Sequence, residues 1–288
     1  MGCAERGAAH LSKQIKSHNP SHCFARGIPC VILWFMTFQY PPPESETAPA
    51  ASSPAPHYSV RMPQGVPLVT YTLLAITVAV YLLQIGSKAI YGFDVVAALG
   101  AKNNAAIAAG QWWRLFTPMF LHGGIFHIGF NMYALYIIGP SLERFYGKLS
   151  YLMLYLVAGV AGNVFSYIFS PYDSLGASTA IFGLLAAEGV FLYKNRQLFG
   201  NRAKKSLLNV LTVALVNFMI GLSPGIDNWG HLGGFLGGAL YAWFAGPRMK
   251  VMGRPPRLEL KNTTPPLLSL MLGVLALMLF LTLAMVRG

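Results

Sequence analysis

Charge is what this 288-residue chain has least of: Asp and Glu together number 9, and all charged residues make up 10% of it. A soluble globular domain carries about 25%, so a water-exposed surface cannot be assembled from this sequence. Alternating ten-residue apolar strands are also missing, which argues against a membrane β-barrel. Cysteine is scarce. Cys3, Cys23 and Cys30 all precede the first long apolar run and are odd in number; on the reducing side of a membrane no disulfide is expected. With His10, His18 and His22 they match none of the paired zinc-ligand spacings. No metal or cofactor is implied.

What the chain does have is apolar length, with 55% hydrophobic residues. A helix that crosses a bilayer needs about 20 mostly apolar residues. Such stretches occur near 67–86, 124–142, 149–169, 177–193, 206–223, 229–246 and 266–285. A bilayer offers no water to unpaired backbone groups, so these runs should be helices. The fold class expected is an all-α polytopic membrane bundle of about seven spans.

The formal net charge of +12 would suggest nucleic acid in a soluble chain, but here its position matters more than its sum. Lys194, Arg196, Arg202, Lys204 and Lys205 lie between spans four and five, and Arg248, Lys250, Arg254, Arg257 and Lys261 between six and seven. Arg144 and Lys148 lie between two and three, whereas the connections at 170–176 and 224–228 have no Lys or Arg. Positive charge collects on cytoplasmic loops. The N terminus is therefore expected inside and the C terminus outside, in a multi-pass protein of the cell membrane whose surroundings are lipid rather than nucleic acid.

Three regions follow. Residues 1–66 read as a cytoplasmic tail, with a short apolar stretch "IPCVILWFMTF" and a Pro/Ala/Ser-rich linker at 41–56 that cannot build a core. The short stretch lacks a signal-peptide cleavage site, and translation from Met36 would make residues 1–35 an upstream extension. Residues 67–246 are the six-helix core, and 247–288 a cytoplasmic linker with one more spanning helix. Between spans one and two, segment 87–123 contains "GQWWRLFTPMFLHGG". Its adjacent tryptophans fit a piece dipping into the membrane interface, a solvated loop being the plainer alternative.

Alternating topology places several polar residues at one depth. His127 and Asn131 fall in the outer part of span two, Ser178 at the outer start of span four, and His231 near the outer start of span six. A histidine inside a span is a functional candidate by default. A lone Ser178 reads more readily as a small packing residue than as a nucleophile. Its surroundings change that, because span six presents Gly230, Gly234 and Gly238 at four-residue spacing, with Gly233 and Gly237 beside them. Span four answers with Gly176, Ala180 and Gly183. Such faces let helix backbones approach closely, bringing Ser178 within reach of His231 as nucleophile and base. His127 and Asn131, four apart, share a helix face and could donate to an oxyanion, or could simply satisfy one another. His122 lies in the same turn region. Asp227, four before His231, invites a triad but sits where a helix cap belongs. Glu143 and Glu188 lie on the inner side, away from this cluster, and should pair internally or snorkel.

Taken together, "HGGIFHIGFN", "GASTAIFG" and "GHLGG", with "WWR" before them and "GPSLERFYG" between, resemble the rhomboid family of intramembrane serine proteases over residues 67–246. The resemblance implies a Ser178–His231 dyad, His127 and Asn131 in the oxyanion site, and supporting positions at His122, Gly176, Phe182 and Gly234, with Phe182 packed near the histidine. It also implies a six-plus-one helix arrangement and transmembrane proteins as substrates. One departure is Thr179, where the family's GxSG has glycine. A relative that escorts membrane helices without cutting them is the alternative, against which Ser178 and His231 together argue. An α/β-hydrolase would need G-x-S-x-G, but Ala180 fills the last place; H-E-x-x-H is absent, as are paired interrupted helices of a transporter.

Overall fold

The computed structural model describes residues 60–223, 225–254 and 257–287. The cysteines, the short apolar stretch, the 41–56 linker and the start at Met36 lie outside the described residues. Eight helices and two short 3₁₀ turns make up most of what is described up to residue 220. They are α1 (Leu68–Tyr91), α2 (Val95–Gly100), α3 (Asn104–Ala108), α4 (Ile125–Tyr146), α5 (Lys148–Phe169), α6 (Ser178–Lys194), α7 (Arg196–Phe199) and α8 (Asn201–Ile220). After them come α9 (Asn228–Ala245), β2 (Met249–Arg254), β3 (Arg257–Asn262) and α10 (Pro266–Arg287); β1 (Val60–Arg61) precedes α1.

Each of the seven apolar runs is a helix. Five of them, α1, α4, α5, α8 and α10, are long and apolar enough to cross a membrane. The other two expected spans, α6 and α9, are 17 and 18 residues long. Both are lined with residues buried in protein, from Thr179 to Ala187 in α6 and chiefly glycines in α9, so they have less need of a lipid-facing apolar surface. At the centre stands α5, whose apolar window is 72% buried, against 17–33% for the four other crossing helices. It packs on α6, α9 and α10, while α1 rests on α4 and α8 on α6.

The α5–α6–α9 contact is made by backbone on backbone. A Cβ on Gly234 would fall well inside contact distance of the Thr179 carbonyl, and one on Gly238 would strike the Gly183 backbone. A Cβ on Gly162 of α5 would lie 2.6 Å from both the Gly230 oxygen and Thr179 Cβ. Only hydrogen fits at these positions, so the helices close to a separation that larger residues would forbid.

Glu143 is accounted for here. Its carboxylate accepts from Val69 N at 2.9 Å and from Thr70 N and Thr70 Oγ1 at 2.8 Å. Pro67 at the head of α1 has no side-chain cap of its own, so a residue of α4 satisfies the orphan amides of a different helix and its charge sits against the positive end of the dipole.

Two stretches carry more structure than expected. Segment 87–123 is a compact insertion of helical turns in which Arg114 donates to the Ala98 and Ala101 carbonyls at 2.8 and 2.7 Å, Thr117 to Gly100 at 2.6 Å, and the Trp113 indole to Leu99 at 3.0 Å. It is not a solvated loop. The 247–265 connection, expected as a bare linker, forms an antiparallel hairpin, and β1, inside the expected tail, pairs in parallel with β3. Strand order is β1-β3-β2. Met249 and Leu260 are buried, whereas most other strand residues are exposed. That thin apolar signal, diluted by basic residues, explains why the sequence reads as linker.

Replacing Gly234 by Ala should therefore destabilise the protein by about 1–3 kcal/mol or more through overpacking. Gly129→Ala, at a helical position with no atom within 4 Å of the added methyl, should be neutral or slightly stabilising. Thermal unfolding of both variants in detergent checks this.

Candidate active site

Ser178 is the first residue of α6 and His231 the fourth of α9. The glycine contact brings His231 Nε2 to 2.9 Å from Ser178 Oγ. The Phe182 ring, one turn along α6, stacks on the imidazole with centroids 4.3 Å apart and 13° between planes, which fixes the ring's tilt. His231 is buried, at 8% exposure.

His231 Nδ1 has no hydrogen-bond partner among the described residues, so the arrangement is a pair rather than a triad. Asp227 does something else: one oxygen accepts from Gly230 N at 3.0 Å, capping α9, and the other takes a short hydrogen bond from Ser166 Oγ. The cap reading of Asp227 describes the structure; the triad reading does not.

His127 also approaches Ser178, across Gly176. Gly176 has φ 139°, a left-handed backbone, and a Cβ there would sit 2.8 Å from His127 Cε1 and Nε2 and 3.5 Å from Ser178 Oγ. Glycine is needed twice over, for the dihedral and for the space. Gly123 N donates to His127 Nδ1 at 3.5 Å, assigning the proton to Nε2, the atom beside Gly176. Asn131, one turn further on α4, is buried. Ser178, His231, His127 and Gly176 are thus within one small volume, with Gly234 directly behind it.

The Thr179 methyl packs against neighbouring helices: its Cγ2 fills the notch left by Gly162 and Gly230. The side chain that departs from the expected glycine is accommodated by glycines on two neighbouring helices.

His122 holds the segment that leads into Ser178. Its Nε2 accepts from Ala177 N at 3.4 Å, and its own backbone is gripped by Gln84 of α1, which accepts from His122 N at 3.0 Å and donates to His122 O at 3.2 Å. Gln84 also donates to Asp94 at 2.7 Å. Burial, aided by His127, pushes the His122 imidazole down to about 3, so it stays neutral and able to accept. Upstream, the fully buried Lys102 donates to the Ser170 and Tyr172 carbonyls at 3.2 and 2.6 Å. Asn104 adds a 2.9 Å bond to Ser170. These cap the negative end of α5. Lys102 and Ser174 then exchange backbone hydrogen bonds at 2.9 and 3.1 Å, and Gly176 N donates to Pro118 O at 2.9 Å. Ser174 Oγ lies 3.2 Å from Ser166 Oγ, which joins this segment to Asp227 and so to the helix that carries His231. Burial lowers the Lys102 pKa, opposed by Asp227 and Asp173.

Gln84, Lys102 and Ser166 were not singled out from sequence. The available signal was polarity inside apolar surroundings, strongest for Gln84 in span one.

The family model for the Rhomboid domain matches residues 109–248. The rhomboid protease AarA of Providencia stuartii is 31% identical over 205 residues, covering 62% of this chain and 73% of that protein. This chain belongs to the rhomboid family. It is also similar to the rhomboid protease GluP of Bacillus subtilis, at 38% identity over 192 residues, 66% of this chain and 37% of GluP. With RHOMBOID-like protein 9, chloroplastic, of Arabidopsis thaliana it shares 34% over 154 residues, 53% of this chain and 35% of the other. The matched part of this rhomboid chain thus spans little more than a third of those two relatives.

Two outcomes follow for this rhomboid. Lys102→Met leaves the Tyr172 carbonyl without its donor and the Ser170 carbonyl with Asn104 alone, at about 1–3 kcal/mol, and should speed amide exchange at Ser174 and Gly176 more than in α10, as read by hydrogen exchange. For His122, the unfolded chain protonates near 6.5 and the folded one near 3. Below 6.5 the unfolded state therefore binds the extra proton, and stability present above that pH is lost as pH falls toward 3. His122→Gln should flatten the fall by one proton's slope in pH-dependent thermal unfolding.

Proposed function

We propose that this rhomboid is an intramembrane serine endopeptidase that cuts transmembrane segments of other membrane proteins near the extracytoplasmic face. The observation that carries the reading is the 2.9 Å contact between His231 Nε2 and Ser178 Oγ, held by a glycine interface and an aromatic stack. Protease-named relatives support the same reaction class.

In the proposed mechanism His231 removes the Ser178 proton as the hydroxyl attacks a peptide carbonyl. The tetrahedral oxyanion is met by the Nε2–H of His127, the Asn131 amide and the Ser178 backbone N–H at the head of α6. His231 then protonates the departing amine. Water attacks the acyl-enzyme with His231 again as base, releasing the second product. The substrate helix must open locally, because its peptide bonds are already paired within the helix and shielded. Small or helix-weakening residues at its outer end favour that opening.

Orientation is part of the proposal. The Lys- and Arg-rich connections face the cytoplasm of a cell-membrane protein, which leaves Ser178 and His231 toward the outer side and the C terminus outside. Residues 67–246 form the catalytic core, and α10 is the added helix.

Thr179 in place of glycine favours a second reading, a helix-binding escort that does not cut. Both are tested by incubating detergent-purified protein with a fluorophosphonate probe and a model transmembrane substrate. Wild type should label and cut. Ser178→Ala and His231→Ala should each lose about 10⁴-fold or more in cleavage. Thr179→Gly should still label and cut while unfolding at lower temperature, since only packing is lost. Labelling without cleavage would favour the escort, and undiminished cleavage by Ser178→Ala would overturn the nucleophile.

A further inference from the structure

The end of the bundle opposite Ser178 holds a cleft of 390 Å³ between the end of α6, α7 and strand β2, lined by Lys194, Asn195, Gln197, Leu198, Lys250 and their neighbours. We propose that this cleft binds the headgroup of an anionic phospholipid, with the phosphate held between Lys194 and Lys250.

The walls are fixed. Asn195 donates to the Phe191 and Pro247 carbonyls at 2.8 and 3.1 Å and accepts from Met249 N at 2.8 Å, which clamps the start of β2 to the end of α6. Lys194 Nζ donates to the Trp243 and Ala242 carbonyls at 2.7 and 3.4 Å. It caps α9, and of its three N–H bonds one is left over for a ligand.

Lys194, Lys250, Arg254 and Arg257 have no carboxylate partner among the described residues. Among the described residues the single ion pair joins Lys261 to Glu259, at 3.1 Å. Lys250 stands directly opposite Lys261 in the hairpin, and Arg254 opposite Arg257. Like charges at facing positions of a sheet are unfavourable. An anion in the cleft relieves the Lys250–Lys261 pair.

Height in the membrane decides which anion. Tyr193 and Trp243, both about half exposed, stack with centroids 6.1 Å apart, and the Arg196 guanidinium lies 4.6 Å over the Tyr193 ring. Exposed Tyr and Trp beside Lys and Arg mark the headgroup level of a bilayer. Lys194 follows Tyr193 directly, and β2 begins after three residues beyond α9. The cleft is therefore at the depth of lipid phosphate, where each Lys or Arg contributes about 1 kcal/mol toward an anionic surface. A soluble phosphate or an acidic cytosolic protein would need no aromatic pair at that depth.

The test is native mass spectrometry of the full chain in detergent with phosphatidylglycerol or phosphatidylcholine. It is paired with amine-acetylation rates at Lys250 in nanodiscs of either lipid. Wild type should retain phosphatidylglycerol in preference to phosphatidylcholine, and Lys250 should be protected only in phosphatidylglycerol discs. Lys250→Gln should weaken retention about fivefold, the equivalent of that 1 kcal/mol, and Lys250→Arg should restore it. Equal retention by wild type and Lys250→Gln would overturn the site. So would equal protection of Lys250 in the two kinds of disc. Protection in phosphatidylcholine discs by millimolar inorganic phosphate would reassign it to a soluble anion. None of these readouts depends on proteolysis, so failure here leaves the proposed reaction untouched, and the converse holds.

Discussion

Thr179 and Gly183 on α6 meet Gly234 and Gly238 on α9 with no side chain between them, and the distance from Ser178 to His231 depends on that contact. Lipid tails are as apolar as the helices themselves, so association within a bilayer relies on close packing rather than on the hydrophobic effect. A methyl group at the interface would push the helices apart, and a hydrogen bond of 2.9 Å has little tolerance for such a shift. Two further glycines, Gly162 and Gly230, receive the Thr179 side chain, so the helix contacts beside the Ser178–His231 pair also absorb the residue that departs from the family pattern.

A second constraint acts on the chain just before Ser178. Residues 170–177 have little regular structure of their own, and their carbonyls and amides are taken up by Lys102, Asn104, Pro118 and His122. The insertion between α1 and α4 thus serves as the mould for a segment that would otherwise have its polar backbone unpaired in an apolar setting. Gln84 ties that mould to α1, and Glu143 ties α1 to α4. The result is a frame in which Ser178 is held from both sides.

Much of this was legible in sequence, for identifiable reasons. The spans were visible because apolar length is a strong signal, and all seven helices begin within five residues of the expected starts. Ser178, His231, His127 and Gly176, which lie near one another in the structure, stood out in the sequence because polar or glycine residues at one depth contrast with an apolar background. Glu143 was recognised as remote from the cluster, but its partners could not be named, since a cap borrowed from another helix leaves no local pattern. Lys102 carries no distinguishing pattern in the sequence; only tertiary structure shows it buried against the end of α5. The hairpin was missed because Met249 and Leu260 alone of its strand residues are buried while basic residues break up the apolar pattern.

The small sheet has a bearing on how the chain assembles. β1 is two residues long and has one neighbour, β3, whose residues lie almost 200 positions later. A strand so short cannot hold itself together, so while a ribosome is still making the middle of the protein the first helix enters the membrane without its final tether. Only after residue 262 has emerged does the beginning of the described chain become stitched to its end. That stitch is a late, high-contact-order step that closes the bundle on the side away from Ser178.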